Sequence, residues 1–358
     1  MLLFAYGCTL PDAPRSLSEE VGELSDTAVV WGGFRQRWGY NHRINNLGDH
    51  VRPVRCDASG CSAEVVHAAA SGLGSDTAEW ASHYTGIRAE RAVFLGGSTR
   101  LEIEREGAQG AGVAESATVR VSGGAALGQG VHVVLNGFDI LARSDADKLQ
   151  RLSIDVGDAR VDADDVVFAV DVRFVFDCSS IECDARRGDV AYDVLVSWLL
   201  VGGEAAVNPV SAETAYTWTN HWVAEELDLE LPRAADTARG VGGYDTGVLA
   251  FTGLAVELDD EHHMAEWATV LHPGTYADGA LPFEANLAFK QWNTGTWWHP
   301  LSYTSPGSAA LRADLALIEL DGCAAAGAVG GAITWEATGG PASEAAVDVA
   351  VASVPACG

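Results

Sequence analysis

VVFAVDVRFVF, residues 166–176, decides how the chain is read. Phe168, Val170, Val172, Phe174 and Phe176 fall on one side of an extended backbone, and Asp171 and Arg173 fall on the other. A period of two is the mark of a β-strand with one buried face. VAYDVLVSWLLV (190–201) repeats the pattern with Tyr192, Val194, Val196, Trp198 and Leu200 inward. The turn-rich run CSSIECDARRGD lies between them, so the two strands are expected to form a β-hairpin stapled by Cys178 and Cys183.

The same alternation recurs along the chain. AVVWGGF, RAVFLGG, STRLEIERE, SATVRVS, VHVVLNGFDILA and LQRLSIDV are strand candidates in the first half. TAYTWTNHWV, ELDLEL, GVLAFTGLAVEL, MAEWATVL, NLAFKQW, ALRADLALIEL, GAITWEA and AAVDVAVASV follow in the second. SAEVVHAAAS (62–71) is the one segment whose alanine content predicts a helix. Many short strands divided by Gly, Asp and Pro turns predict an all-β protein of packed antiparallel β-sandwiches, jelly-roll-like in style. Two such domains are expected, 26–206 and 207–358, behind a tether of residues 1–25.

Seven cysteines sort into one plus three pairs. CDASGC (Cys56 to Cys61) and CSSIEC (Cys178 to Cys183) share a spacing, and Cys323 and Cys357 remain, the last pinning the C-terminus. The spacing is not that of a zinc ribbon, and no neighbouring His completes a ligand set. Each short loop closed by a disulfide would contribute about 2 kcal/mol and the longer one about 4 kcal/mol. Disulfides imply an oxidising compartment and hence export. Cys8 stands apart from these pairs. Phe4-Ala5-Tyr6-Gly7-Cys8 resembles a bacterial lipobox, and the resemblance implies a lipidated Cys8 on an exported lipoprotein of the outer membrane or cell surface, or else a secreted chain. No other stretch is long and apolar enough to span a bilayer, so a membrane is expected to be reached only through that lipid.

A net charge of −28, with Lys148 and Lys290 the only lysines, repels phosphate backbones and argues against nucleic-acid binding. Against this background WGGFRQRWGYNHRINNLGDHVRPVR (31–55) is exceptional, with five arginines and one acid. Trp38, Tyr40 and Arg43 combine stacking faces with a guanidinium, a set that suits a glycan or other surface polymer. The competing reading is an internal seam in which these arginines meet acids of the second half. Trp292, Trp297, Trp298 and His299 in KQWNTGTWWHP make a second aromatic cluster, a candidate stacking platform for a sugar ring.

Metal and catalytic signals are sparse. Asp162, Asp164 and Asp165 are a candidate calcium loop, the one cofactor the sequence suggests. DDEHHM (259–264) resembles the His-His-Met copper motif of the two-sandwich monooxygenases, but the chain has no His-x-His and no later methionine, which excludes that chemistry. GxSxG, HExxH and phosphate-loop motifs are absent. The sequence therefore predicts an exported binding or structural protein, glycan being the favoured ligand. A secreted glycosidase or amidase using unsigned Asp/Glu pairs, or a homo-oligomeric surface or fibre subunit, are the alternatives.

Peptide mapping under non-reducing conditions is expected to recover Cys178 linked to Cys183 and Cys323 linked to Cys357, beside Cys56 linked to Cys61. Free thiols, or a link between the two short loops, would remove the pairing scheme.

Overall fold

Side chains that alternate in and out need backbone partners on either side, and the fold is the arrangement that supplies them. A computed structural model describes residues 16–42, 44–71, 76–105, 113–142, 148–177, 190–210, 216–219, 234–258, 264–291, 308–335 and 346–354. Among these residues there are twenty-two strands and one 3₁₀ turn, Gly124–Leu127, with no α-helix. In chain order the strands are β1 (Ser16–Val21), β2 (Thr27–His42), β3 (Ile44–Val51), β4 (Arg55–Asp57), β5 (Gly60–Ser71), β6 (Asp76–Ala89), β7 (Ala92–Arg105) and β8 (Val113–Ser122). Next come β9 (His132–Ala142), β10 (Lys148–Val156), β11 (Arg160–Asp162), β12 (Asp165–Asp177), β13 (Val190–Gly203), β14 (Ala206–Val210) and β15 (Tyr216–Thr219). The last are β16 (Ala234–Arg239), β17 (Thr246–Leu258), β18 (Met264–Pro273), β19 (Ala280–Gln291), β20 (Ser308–Leu320), β21 (Gly322–Trp335) and β22 (Ala346–Ser353).

All ladders are antiparallel, and they build two packed sheets. The larger has sixteen strands along the path β1-β7-β13-β9-β17-β10-β12-β11, with branches; the smaller runs β16-β19-β18-β2-β6-β21. The all-β, antiparallel, layered class predicted from the alternation is what forms. The boundary expected near residue 206 does not coincide with a gap in the ladders. β2 pairs with β18 and β6 with β21, while β9 and β10 both pair with β17, so strands from either side of residue 206 share both sheets.

Three local expectations are corrected. β12 and β13 do not form a hairpin: β12 lies between β10 and β8, and β13 lies between β7 and β9. β13 buries both faces, Val194, Val196, Trp198 and Leu200 on one and Leu199 and Val201 on the other, so it takes a central place with a long partner on each side. RAVFLGG and STRLEIERE are one strand, β7, which runs through Gly96 and Gly97. A Cβ on Gly97 would stand 2.3 Å from the Trp198 ring, so glycine there makes room for the indole. Residues 62–71 are strand β5, with Ala63, Val65, His67 and Ala69 buried on one face and Val66 and Ala68 on the other. A helix preference of a few tenths of a kcal/mol per alanine loses to full burial and a ladder on each side.

Cys56 and Cys61 face each other across the β4–β5 turn and are disulfide-bonded. Cys323, at the start of β21, is disulfide-bonded too, with its partner outside the described residues. Cys8, Cys178, Cys183 and Cys357 lie outside them as well.

The larger sheet forks at β9. One side of β9 carries β13 along most of its length; the other meets β17 at Leu135 and β3 from Gly137 onward. Gly137 sits at φ 111°, and a Cβ there would stand 2.3 Å from the Asp49 carbonyl oxygen. Beside the fork the buried Asn136 side chain stands in for a missing strand. Its Oδ1 accepts from the Trp31 backbone N–H at 2.7 Å, and its Nδ2 donates to the Val29 carbonyl at 3.2 Å. The amide thus ties the smaller sheet to the larger with two hydrogen bonds.

Asn136→Ala would leave a buried backbone N–H and C=O without those bonds, and is expected to lower unfolding stability by about 2–4 kcal/mol. Urea denaturation is the measurement; a midpoint unchanged from the parent would show the tie to be dispensable.

Candidate functional site

Two alternating strands from each sheet bring polar side chains together between the layers. Asp49 on β3, His67 on β5, Gln36 on β2 and Ser82 on β6 are all fully buried. Asp49 Oδ1 accepts from the Trp31 indole N–H at 2.6 Å and from the Ser82 hydroxyl at 2.7 Å. His67 Nδ1 is 3.1 Å from Asp49 Oδ2, and its Nε2 is 3.1 Å from Gln36 Oε1. Trp80 lies flat on the imidazole, ring centres 4.7 Å apart, and its own indole N–H donates to Asp348 on β22 at 3.1 Å. Burial pushes the Asp49 carboxyl above its ordinary value, against the pull of His67, Ser82 and Trp31. Serine, histidine and aspartate are the parts of a hydrolase triad, but Ser82 bonds Asp49 rather than His67, and all three are sealed from solvent. The cluster is structural, and it holds the two layers in register.

A second buried carboxylate closes a loop. Glu319 accepts from Asn208 Nδ2 (2.8 Å), the backbone N–H groups of Val241 (2.7 Å) and Gly242 (3.0 Å), and the Tyr276 hydroxyl (2.6 Å). Burial and the bond to Glu319 push the Tyr276 hydroxyl up to about 12.

A slot opens where β18 leaves β2. Their ladder stops at Val270 opposite Gly33, next to the bulge at Gly32, and a cavity of about 240 Å³ lies beyond it. His83 from β6 and His272 from β18 both line it, their ring centres 5.2 Å apart and the rings nearly perpendicular. Tyr84, Thr85, Leu249, Leu271 and Pro273 complete much of the wall, which holds no carboxylate. Burial, with the nearby His272 and Arg35, lowers His83 to about 4. Nothing in the sequence points to this pair, because the two strands meet only through β2.

The third feature is an uncharged margin. Among the described residues β21 ends the smaller sheet and pairs only with β6, while β22 pairs only with β5 and runs alongside β21. In β21, Ala325, Ala326, Ala328, Gly330, Gly331 and Ala332 are exposed, and the strand has no charged residue. In β22, Val347, Val349 and Val351 are 55%, 46% and 60% exposed. Asp348 is the one charge in the two strands, and its carboxylate is engaged by Trp80.

The sequence candidates are distributed differently. Trp38 is 1% exposed and belongs to the apolar core, which corrects its placement in a ligand-binding face. It joins Trp31, Trp198 and Trp267 among the largest fully buried side chains. Arg35 pairs with the buried Glu266 of β18, as the seam reading of the arginine-rich stretch expects. Tyr40 is in β2, with its side chain outside the described set, as are Arg43, Trp292, Trp297, Trp298 and His299. The candidate calcium loop lies beside an arginine. Arg120 pairs with Asp162 at 2.5 Å and with Asp165 at 2.8 Å, and Asp164 is exposed beside them. Among the described residues no group of three or more His, Cys, Asp or Glu is arranged to hold a metal ion. No helix among them is long and apolar enough to cross a membrane.

No family model matches the chain, and no curated protein or solved structure matches it.

The buried histidines set an acid limit on the fold. Burial, then Arg52 and His67, lowers His50 to about 3, and His83 stands at about 4, against 6.5 in the unfolded chain. The folded state binds these protons less readily, so the stability they contribute is full above pH 6.5 and drains away as pH falls toward 4 and 3. Asp49 has the opposite sign: its share is full below 3.8 and is lost as pH rises through its raised value. Thermal melts are expected to show a falling midpoint from pH 6.5 to pH 4, with a shallower fall for His50→Leu. An identical slope in that variant would exclude His50 as a source.

Proposed function

We propose that this protein is an exported structural or binding protein of the cell exterior, whose working surface is the uncharged margin of β21 and β22, and that a second copy of the chain adds strands to it. The observation that carries the reading is the long, charge-free strand β21, an edge among the described residues, beside the exposed valines of β22, on a chain of net charge −28. Natural edge strands are kept from pairing by charges, prolines and bulges, and β21 has none of these in its ladder with β6. Small side chains allow another strand to approach closely, and the valines would leave water on contact. The Cys56–Cys61 disulfide accords with an oxidising compartment, and a lipidated Cys8 would fasten such a subunit to a membrane.

Two other readings have less support. A glycan platform loses Trp38 to the core and rests on Trp292, Trp297, Trp298 and His299. A glycosidase needs two carboxyls facing across a cleft. Three of the buried carboxylates, Asp49, Glu266 and Glu319, are instead each bound by donors of the fold.

Sedimentation equilibrium of the full chain is expected to show reversible self-association that strengthens as salt screens the acidic surfaces. Val349→Lys combined with Ala328→Lys is expected to weaken it about tenfold or more, with the melting temperature kept, because both residues are exposed. A parent that stays monomeric at all concentrations and salts would overturn the proposal. If that monomer also binds immobilised glycan, and Trp297→Ala or Trp298→Ala abolishes the binding, the glycan reading replaces it.

A further inference from the structure

The slot between β18 and β6 holds a feature that edge assembly does not use. We infer that His83 and His272 form a two-imidazole site for a divalent transition-metal ion of the zinc or copper class. The argument begins with distance. An imidazole nitrogen sits about 2.0–2.1 Å from bound zinc, and the ring centre lies roughly 1.1–1.2 Å beyond that nitrogen. At a tetrahedral angle, two rings on one ion then have centres about 5.2 Å apart. The His83 and His272 ring centres are 5.2 Å apart. Edge-on aromatic packing spans a wider interval, so the separation fits a shared ion without requiring one.

The surroundings suit a borderline cation. Imidazole is the ligand that zinc, copper and nickel share, and it binds as the neutral base. Arg35 is the nearby cation that would oppose a metal, and its guanidinium is already engaged by the buried Glu266. The cavity of about 240 Å³ leaves room for water or a small ligand at the remaining coordination positions, with Tyr84 and Thr85 at its wall. A bulge holds the geometry: Gly32 and Gly33 in β2 end the ladder with β18 and so open the gap that the rings border. A Cβ on Gly33 would stand 1.7 Å from the Thr269 carbonyl oxygen, so only glycine permits the close approach there.

The test is isothermal titration of the chelator-treated full chain with Zn²⁺ alone and with Cu²⁺ alone. One ion per chain is expected at this site. His83→Ala and His272→Ala should each weaken binding about tenfold or more. His132→Ala, an exposed histidine on β9, should leave it unchanged. Should His83→Ala fail to fold, His83→Gln with the same titration and a far-UV spectrum takes its place. Binding that survives in both slot variants, or that is lost instead on replacing His262 and His263 together, would overturn the assignment. Absence of any binding to the parent would overturn it equally.

Discussion

A carboxylate sealed between two sheets has to be satisfied where it stands, and Asp49 is satisfied by three other strands. Its donors come from β2 (Trp31), β6 (Ser82) and β5 (His67), and the histidine passes the contact on to Gln36. An unpaired buried carboxylate would be costly enough to force another arrangement. Each of these strands is therefore held at one register, since a slip by a single residue would turn its donor away. Asn136 applies the same logic to backbone groups a few residues along, and Gly137 lets β3 come close enough to place Asp49. The apolar clusters supply most of the stabilisation, but they are tolerant of small shifts. The polar cluster fixes which of many apolar packings is adopted.

Alternation made the strands legible and left their neighbours hidden. β12 and β13 were readable residue by residue, yet their partners lie far along the chain, because pairing depends on which faces are buried and β13 buries both. β5 misled for a related reason: Val66 and Ala68 are buried as well as Val65 and His67, so the run shows no clean period of two. Most of β21 was missed because Gly322–Ala332 has side chains too small to display any period. Gly96 and Gly97 mimicked a turn, when their function is to make room for Trp198.

The polar sites were less legible than the strands. The arginine-rich stretch was recognised as unusual, and its Arg35 does meet an acid from the other half of the chain, Glu266. Trp38 was assigned to a surface because tryptophan beside arginine suits both a seam and a ligand face, and only burial separates the two. Asp162, Asp164 and Asp165 read as cation ligands, and the sequence gives no sign that Arg120, distant along the chain, pairs with two of them. His83 and His272 carried no signal at all, since nothing in either local sequence records that β2 bulges between them.

The smaller sheet also constrains how the molecule is made. Its central pair, β2 and β6, is synthesised early, but the strands that flank that pair, β18 and β21, are synthesised near the end. Until residue 273 has emerged β2 lacks its outer partner β18, and until residue 335 has emerged β6 lacks β21. The smaller sheet can therefore close only after most of the chain has emerged. Were the chain to cross a membrane unfolded, as the proposed function requires, this delay would keep the smaller sheet from closing before passage.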